Sequence, residues 1–163
     1  MVDFRSLLGA LVHGEVEFIL VGGVAATVHG SARLTSDLDV VYRRTEENIE
    51  RVAGTLAGLD PVLRGAPPGL PFRLDAPTIA HGLNFTLSTR AGALDLLGEI
   101  AGGGRWETLI DRTIEVELFD LRCRCLDLDA LIEVKRAAGR PRDLETIAEL
   151  ETLRDQQRPR GAR

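Results

Sequence analysis

The chain has 163 residues, 44% hydrophobic and 28% charged, which suits one ordinary domain with a real core and excludes intrinsic disorder as a starting assumption. Its formal net charge of −5 argues against a surface that coats nucleic acid generally, while leaving room for a local basic face. No apolar run approaches about 18 residues and no basic leader precedes an apolar stretch, so neither export nor membrane spanning is expected, and the cytoplasm is the expected compartment.

In chain order, Phe4 to His13 carries apolar residues at 4, 7, 8, 11 and 12, the spacing of an amphipathic helix, with Asp3 placed to cap it. Glu17 to Val21 is a short apolar run that stops at Gly22-Gly23, as a buried strand meeting a tight turn would. Val24 to His29 reads as a short helix closed by Gly30, Asp37 to Tyr42 as a second strand, and Thr45 to about Leu59 as a helix with acids in its first turn. From Asp60 to Pro77 five prolines and two glycines leave no regular element, and a lid or binding loop is expected there.

Leu83 to Thr89 alternates with period two, Arg90-Ala-Gly92 makes a turn, and Ala93 to Leu97 returns as a strand. A glycine loop at 102–104 and a helical turn around Trp106 to Ile110 precede two more strands, Thr113 to Leu118 and Leu121 to Leu126. Helices over Asp127 to Ala138 and Pro141 to Gln157, separated by Gly139, close the chain. Residues 1–157 are thus expected to form one domain and 158–163 a frayed basic tail. Cys123 and Cys125 share one strand face, where an intrachain disulfide would be strained, so buried thiols are expected.

Strand alternation puts Asp37, Asp39 and Val41 on one face and Leu38, Val40 and Tyr42 on the other. Two carboxylates side by side repel unless a cation lies between them. A divalent ion is one answer, and an exposed strand end with Asp37 capping a turn is the other. Asp95 adds a third acid inside the otherwise apolar Ala93-Leu-Asp-Leu-Leu97, where an ionisable group is costly without a partner. Should that strand lie beside the second, three carboxylates converge on a patch able to hold Mg²⁺, or Mn²⁺ in its place.

The Gly22-Gly23 turn is either a tight turn alone or a place where phosphate approaches backbone N–H groups. Lys135 falls on the apolar stripe of its helix with Leu128, Leu131 and Ile132, either passing the core edge or facing a phosphate. Asp143 sits in the first turn after Pro141, where a helix dipole welcomes an acid, and it is also a candidate partner for Lys135 or Arg142. The late arginines, Arg136, Arg140, Arg142, Arg154, Arg158, Arg160 and Arg163, read as a solvated face and tail, with an RNA backbone as the alternative contact.

Gly22-Gly23, Asp37-Leu38-Asp39 and Asp95 together resemble the minimal pattern of the DNA polymerase β-like nucleotidyltransferase superfamily. More closely, GGVAATVHGSARLTSDLDVV, LDLLGEIAGG and LIEVKRAAGRPRDLETIAEL resemble the AbiEii/MenT-like bacterial nucleotidyltransferases, many of them toxins of toxin–antitoxin pairs. The resemblance spans roughly residues 15–150. It implies an α+β polymerase β-like nucleotidyltransferase fold, a mixed β-sheet flanked by helices with a C-terminal helical pair. It also implies two-metal transfer of NMP from an NTP to a hydroxyl such as a tRNA 3′ end, and a cognate antitoxin as partner. Asp37, Asp39 and Asp95 would hold the metal, with Asp95 as the nearest base. Gly22, Gly23, Arg33, Ser36 and Lys135 would meet the nucleotide, with Asp143 and Arg142 in support. Many superfamily members have Gly-Ser where this chain has Gly-Gly, so a phosphate-contacting hydroxyl is missing at position 23. Two other readings are an antibiotic nucleotidyltransferase acting on aminoglycosides or lincosamides, and a catalytically silent member serving as a binding or antitoxin-type partner.

Overall fold

The computed structural model describes residues 2–158, so the expected basic tail, apart from Arg158, lies outside the described residues. One seven-stranded mixed sheet runs through the chain in the order β3-β4-β5-β2-β1-β7-β6. Helix α1 (Phe4–His13) leads into β1 (Phe18–Val21), α2 (Gly22–Val28), β2 (Asp37–Tyr42) and α3 (Glu46–Ala57). Then follow β3 (Val62–Leu63), α4 (Ala76–His81), the hairpin β4 (Phe85–Thr89) and β5 (Gly92–Leu97), and the turn α5 (Trp106–Leu109). A second hairpin, β6 (Thr113–Leu118) and β7 (Leu121–Leu126), precedes the C-terminal pair α6 (Leu128–Ala138) and α7 (Leu144–Gln157). This is the expected α+β class, a mixed sheet flanked by helices.

Caps account for the helix boundaries. Asp3, Thr45, Asp75 and Asp127 each accept a hydrogen bond from the backbone N–H three residues on. Gly139 ends α6 in the left-handed region at φ 64°, where a glycine pays no Cβ penalty. The centre of the sheet is β1, whose Phe18, Ile19, Leu20 and Val21 are all buried. Two sets of helices accompany it: α1 and α4 each touch α3, and α2 and α7 each touch α6. Apolar side chains removed from water on both sides of so short a strand contribute the non-directional share of stability.

Two expectations are corrected. The 60–77 segment is not devoid of regular structure. Val62–Leu63 pairs antiparallel with β4, Val62 opposite Ser88 and Leu63 opposite Leu87, and α4 begins at Ala76 with Pro77 inside its first turn. A two-residue strand is too short to show period-two alternation, and a proline at a helix start is tolerated because its missing N–H has no partner there anyway. Helix α2 also starts at Gly22, not Val24, because the Gly-Gly pair is itself the first turn. Cys123 and Cys125 are free, buried thiols, as expected, and burial pushes them up to about 11 and about 12.

Candidate functional site

Strand β2 is the scaffold of the site. It pairs antiparallel with β1, setting Val21 opposite Asp39, and parallel with β5, setting Asp37 opposite Ala93 and Asp39 opposite Asp95. Neighbours across a sheet point to the same face, so the β2–β5 register alone brings the third acid beside the first two. Leu38 and Val40 on the other face are fully buried and fix that register. One oxygen from each of Asp37, Asp39 and Asp95 lies within 4.8 Å of the others, the one such group among the described residues. Three carboxylates at that spacing are hard oxygen donors of the kind Mg²⁺ or Mn²⁺ takes, so the donor set fits a divalent ion.

Electrostatics point the same way. Asp37 is held above the ordinary carboxylate range, chiefly by desolvation and then by the charge of Asp95. Asp39 is pushed up to about 8, first by burial, next by Asp37 and Asp95, with the Gly23 backbone N–H acting in the opposite direction. Two neighbouring acids, Asp37 and Asp39, both disfavoured as anions leave the site short of positive charge.

The turn beneath these acids has no room for side chains. Gly22 has φ +67°, and a Cβ there would stand 2.0 Å from Asp39 Oδ2. A Cβ on Gly23 would meet Thr35 Oγ1 at 2.6 Å and Thr35 Cβ at 2.8 Å. Both distances are far inside van der Waals contact, so the Gly-Gly pair is a packing requirement of Asp39 and Thr35. The hydroxyl missing from position 23 therefore has a spatial replacement in Thr35, whose Oγ1 also donates to the Asp37 carbonyl oxygen at 3.1 Å. Sequence spacing hid this because Thr35 is twelve residues from Gly23.

A cleft of about 680 Å³ opens over the acids and is lined by all the nucleotide-binding candidates, Gly22, Gly23, Arg33, Ser36 and Lys135. Lys135 reaches it from α6. The residue is buried, and its Nζ stands 3.9 Å from Asp143 Oδ1, too far for a hydrogen bond. Burial lowers its affinity for a proton, and Asp143 opposes that shift. Asp143 is buried too, with its main partner in Arg140, whose Nε donates to Oδ2 at 2.7 Å and Nη2 to Oδ1 at 3.3 Å. Of the two partners the sequence offers it, the structure places Lys135 within reach, while the bidentate clamp comes from Arg140 in place of Arg142. Arg142 lines the cleft. Arg33 donates to Glu145 on α7 at 2.6 Å, and Ser36 is exposed at the mouth.

Sequence reasoning missed Arg64, which follows β3. Its backbone N–H donates to the Thr86 carbonyl at 3.0 Å, and Thr86 pairs with Asp95 across β4 and β5. Asp39, Asp95 and Thr86 thus form one row across three strands, which Arg64, just past β3, extends. The Arg64 guanidinium lies over the acids: Nη2 donates to Asp95 Oδ1 at 2.9 Å and to the Leu87 carbonyl at 2.7 Å, and Nη1 stands 3.9 Å from Asp37 Oδ2. The only sequence signal was a lone arginine two residues after Val62.

No protein-family model matches the chain, and no curated protein matches it. Solved structures do share its fold. The lincosamide antibiotic adenylyltransferase LnuA, lincomycin-bound, superposes with TM-score 0.62 at 17% identity over 93% of this chain and 98% of that one. A putative nucleotidyltransferase from Thermotoga maritima gives TM-score 0.56 at 14% identity over 91% and 89%. ANT(2")-Ia, in complex with adenylyl-2"-tobramycin, gives 0.52 at 14% identity over 93% and 92%. The fold is that of the nucleotidyltransferases, a mixed sheet with flanking helices.

Proposed function

We propose that this protein is a nucleotidyltransferase that moves the NMP group of an NTP to a hydroxyl acceptor with Mg²⁺, for which Mn²⁺ can substitute. The observation that carries this reading is the convergence of Asp37, Asp39 and Asp95, brought about by the β2–β5 register, on a cleft whose other wall presents the buried Lys135. Phosphoryl chemistry calls for both: carboxylates for the metal and a cation for the phosphates.

Two bound Mg²⁺ ions would supply charge neutralisation at the leaving pyrophosphate and a lower pKa at the acceptor hydroxyl. The chain's own residues do the rest. Asp37, Asp39 and Asp95 would hold the ion site, and Asp95 also takes the proton of the acceptor hydroxyl. The acceptor oxygen then bonds to the α-phosphorus as the bond to the bridging oxygen of the β-phosphate breaks, and pyrophosphate leaves in line. Lys135 faces the phosphates, Gly22 and Gly23 let them approach, and Thr35, Ser36 and Arg33 line the same wall. Arg142 sits further along it, and Asp143 holds Arg140 beside Lys135.

For the acceptor, the sequence resemblance supports an RNA 3′ end, such as that of tRNA, in a toxin–antitoxin setting with a cognate antitoxin. A specific observation favours a second acceptor, a small hydroxyl-bearing antibiotic. Of the cleft's cations, Arg33 and Arg140 are engaged by Glu145 and Asp143, which leaves Arg142 and the buried Lys135, a small charge for holding a phosphodiester backbone. Two of the fold neighbours are LnuA, a lincosamide antibiotic adenylyltransferase bound to lincomycin, and ANT(2")-Ia, in complex with adenylyl-2"-tobramycin.

Incubation with each α-labelled NTP and Mg²⁺, in separate reactions with tRNA, a lincosamide and an aminoglycoside, tests the reading. Mg²⁺-dependent label on one acceptor class, absent with Asp39→Ala, is the expected result. No label on any acceptor together with no NTP binding overturns it in favour of a silent binding protein.

A further inference from the structure

The three acids carry a cation of their own. Arg64 enters from the far end of the sheet, on the row that Asp39, Asp95 and Thr86 share, and stands 2.9 Å from Asp95 and 3.9 Å from Asp37. Nη2 has two hydrogens, and the Leu87 carbonyl and Asp95 Oδ1 take one each. The Nε atom is buried and has no partner among the described residues. A guanidinium with its inner edge committed this way is poorly placed to grasp substrate phosphate and well placed to orient a carboxylate.

We propose that Arg64 is a positioning residue for Asp95. It fixes Oδ1 and leaves the other oxygen outside that bond. Its charge also holds the acid cluster together before a divalent cation arrives. The inference rests on the nucleotidyltransferase reading and deepens it. It also explains the 60–77 segment, in which β3 is the short edge strand that delivers this guanidinium. Two consequences have opposite signs. A fixed positive charge within 4 Å of two ligand carboxylates weakens the pull on a second cation, so its removal strengthens divalent binding. An Asp95 without its clamp is free to rotate, so the same removal slows transfer. A merely structural arginine would weaken both.

Direct titration with Mn²⁺, followed by electron paramagnetic resonance of the free ion, reads the first consequence on the intact chain without any turnover. Steady-state kinetics with labelled NTP reads the second. Arg64→Ala is expected to bind Mn²⁺ about tenfold more tightly than wild type, to lose about 10- to 100-fold in kcat, and to keep its KM for NTP. Arg64→Lys is expected to return Mn²⁺ affinity to the wild-type value, since it keeps the charge, and to recover only part of kcat, since an ammonium cannot span Asp95 and Leu87 as a planar fork does. Arg64→Gln, neutral and long, carries the same expectation as the alanine variant should that chain not fold. Mn²⁺ binding that weakens or stays unchanged, an unaltered kcat, or failure of both neutral variants to fold overturns the role of Arg64. Wild-type protein that binds no Mn²⁺ overturns the metal-site reading itself, so the two failures are distinct.

Discussion

A Cβ on Gly22 would stand 2.0 Å from Oδ2 of Asp39 and 2.7 Å from its Cγ. The turn and the acid therefore occupy adjoining space, and no side chain fits at Gly22 while Asp39 stays in place. Gly22→Ala adds that Cβ at a residue with φ +67°, so it meets both a collision and a backbone penalty. Asp39 must move out of the cluster for the chain to fold. The expected result is a loss of about 1–3 kcal/mol of stability by denaturant midpoint and a fall of about 100-fold or more in Mg²⁺-dependent transfer. Transfer at the wild-type rate in this variant would show that Asp39 is not needed where the fold places it.

Asp39 also predicts a pH dependence. Its ordinary value is 3.8, and burial followed by the Asp37 and Asp95 charges raises it to about 8 in the folded, metal-free chain. Between those values the folded chain binds a proton that the unfolded chain has already lost. The stabilisation is complete below about 4 and is lost as pH rises through about 8, with a slope of at most about 1.4 kcal/mol per pH unit. Thermal melting of metal-free protein should therefore occur at a higher temperature at pH 5 than at pH 8. Mg²⁺ should raise the melting temperature more at pH 8, where only about half the chains still hold that proton, than at pH 5, where nearly all do. Asp39→Asn should flatten the profile, melt above wild type at pH 8 and show no transfer. A flat profile for wild-type protein counts against the buried, uncompensated cluster.

At the other end of the same strands, Asn48 makes a contrasting case. It is fully buried. Its Oδ1 accepts from the Glu17 N–H at 2.7 Å, and its Nδ2 donates to the carbonyls of Glu17 at 3.0 Å and Arg43 at 2.7 Å. It ties the start of β1 to the end of β2 and satisfies backbone groups that water cannot reach. Asn48→Ala leaves the Glu17 N–H and the Arg43 carbonyl without their partner, while the Glu17 carbonyl keeps its bond from the Arg43 N–H, and it should cost about 2–4 kcal/mol by chemical denaturation. Below the melting range, kcat should remain within about twofold of wild type, because the acids lie at the opposite end of β2. A variant as stable as wild type would mean that these hydrogen bonds are replaced by others.

The residues readable from the sequence and those hidden in it differ in how local their cause is. Asp37 and Asp39 were legible because strand alternation is local, and Asp95 because an acid in an apolar strand is costly wherever the strand lies. Their convergence was a conditional statement until the parallel β2–β5 pairing supplied the register. Lys135 was legible from a helical stripe, and the structure buries it as that stripe predicts. Thr35 and Arg64 were not. Thr35 matters only because it packs on Gly23. Arg64 matters only because a two-residue strand sets it opposite Thr86. Asn48 could be read as part of a helix start, and nothing in its neighbourhood announces that its amide serves strands on either side.

Lys135 provides the sharpest separation of binding from folding. Its ammonium is buried with the Asp143 carboxylate 3.9 Å away, beyond hydrogen-bond distance, and burial outweighs Asp143 in lowering its affinity for a proton. A charge held this way is a cost to the fold, and the benefit must lie elsewhere. Lys135→Met keeps most of the stem's volume and removes the charge. Asp143 stays satisfied through its two bonds from Arg140, so no orphaned acid is left behind. Stability should therefore be unchanged or higher by thermal melting. NTP affinity should weaken by about 10- to 100-fold, the value of one charge-assisted phosphate contact, while the KM for the acceptor stays near wild type. Isothermal titration with a non-hydrolysable NTP in the presence of Mg²⁺ checks the first number and steady-state kinetics the second. An unaltered NTP affinity would remove Lys135 from the phosphate wall and leave its burial as a feature of the α6–α7 packing alone.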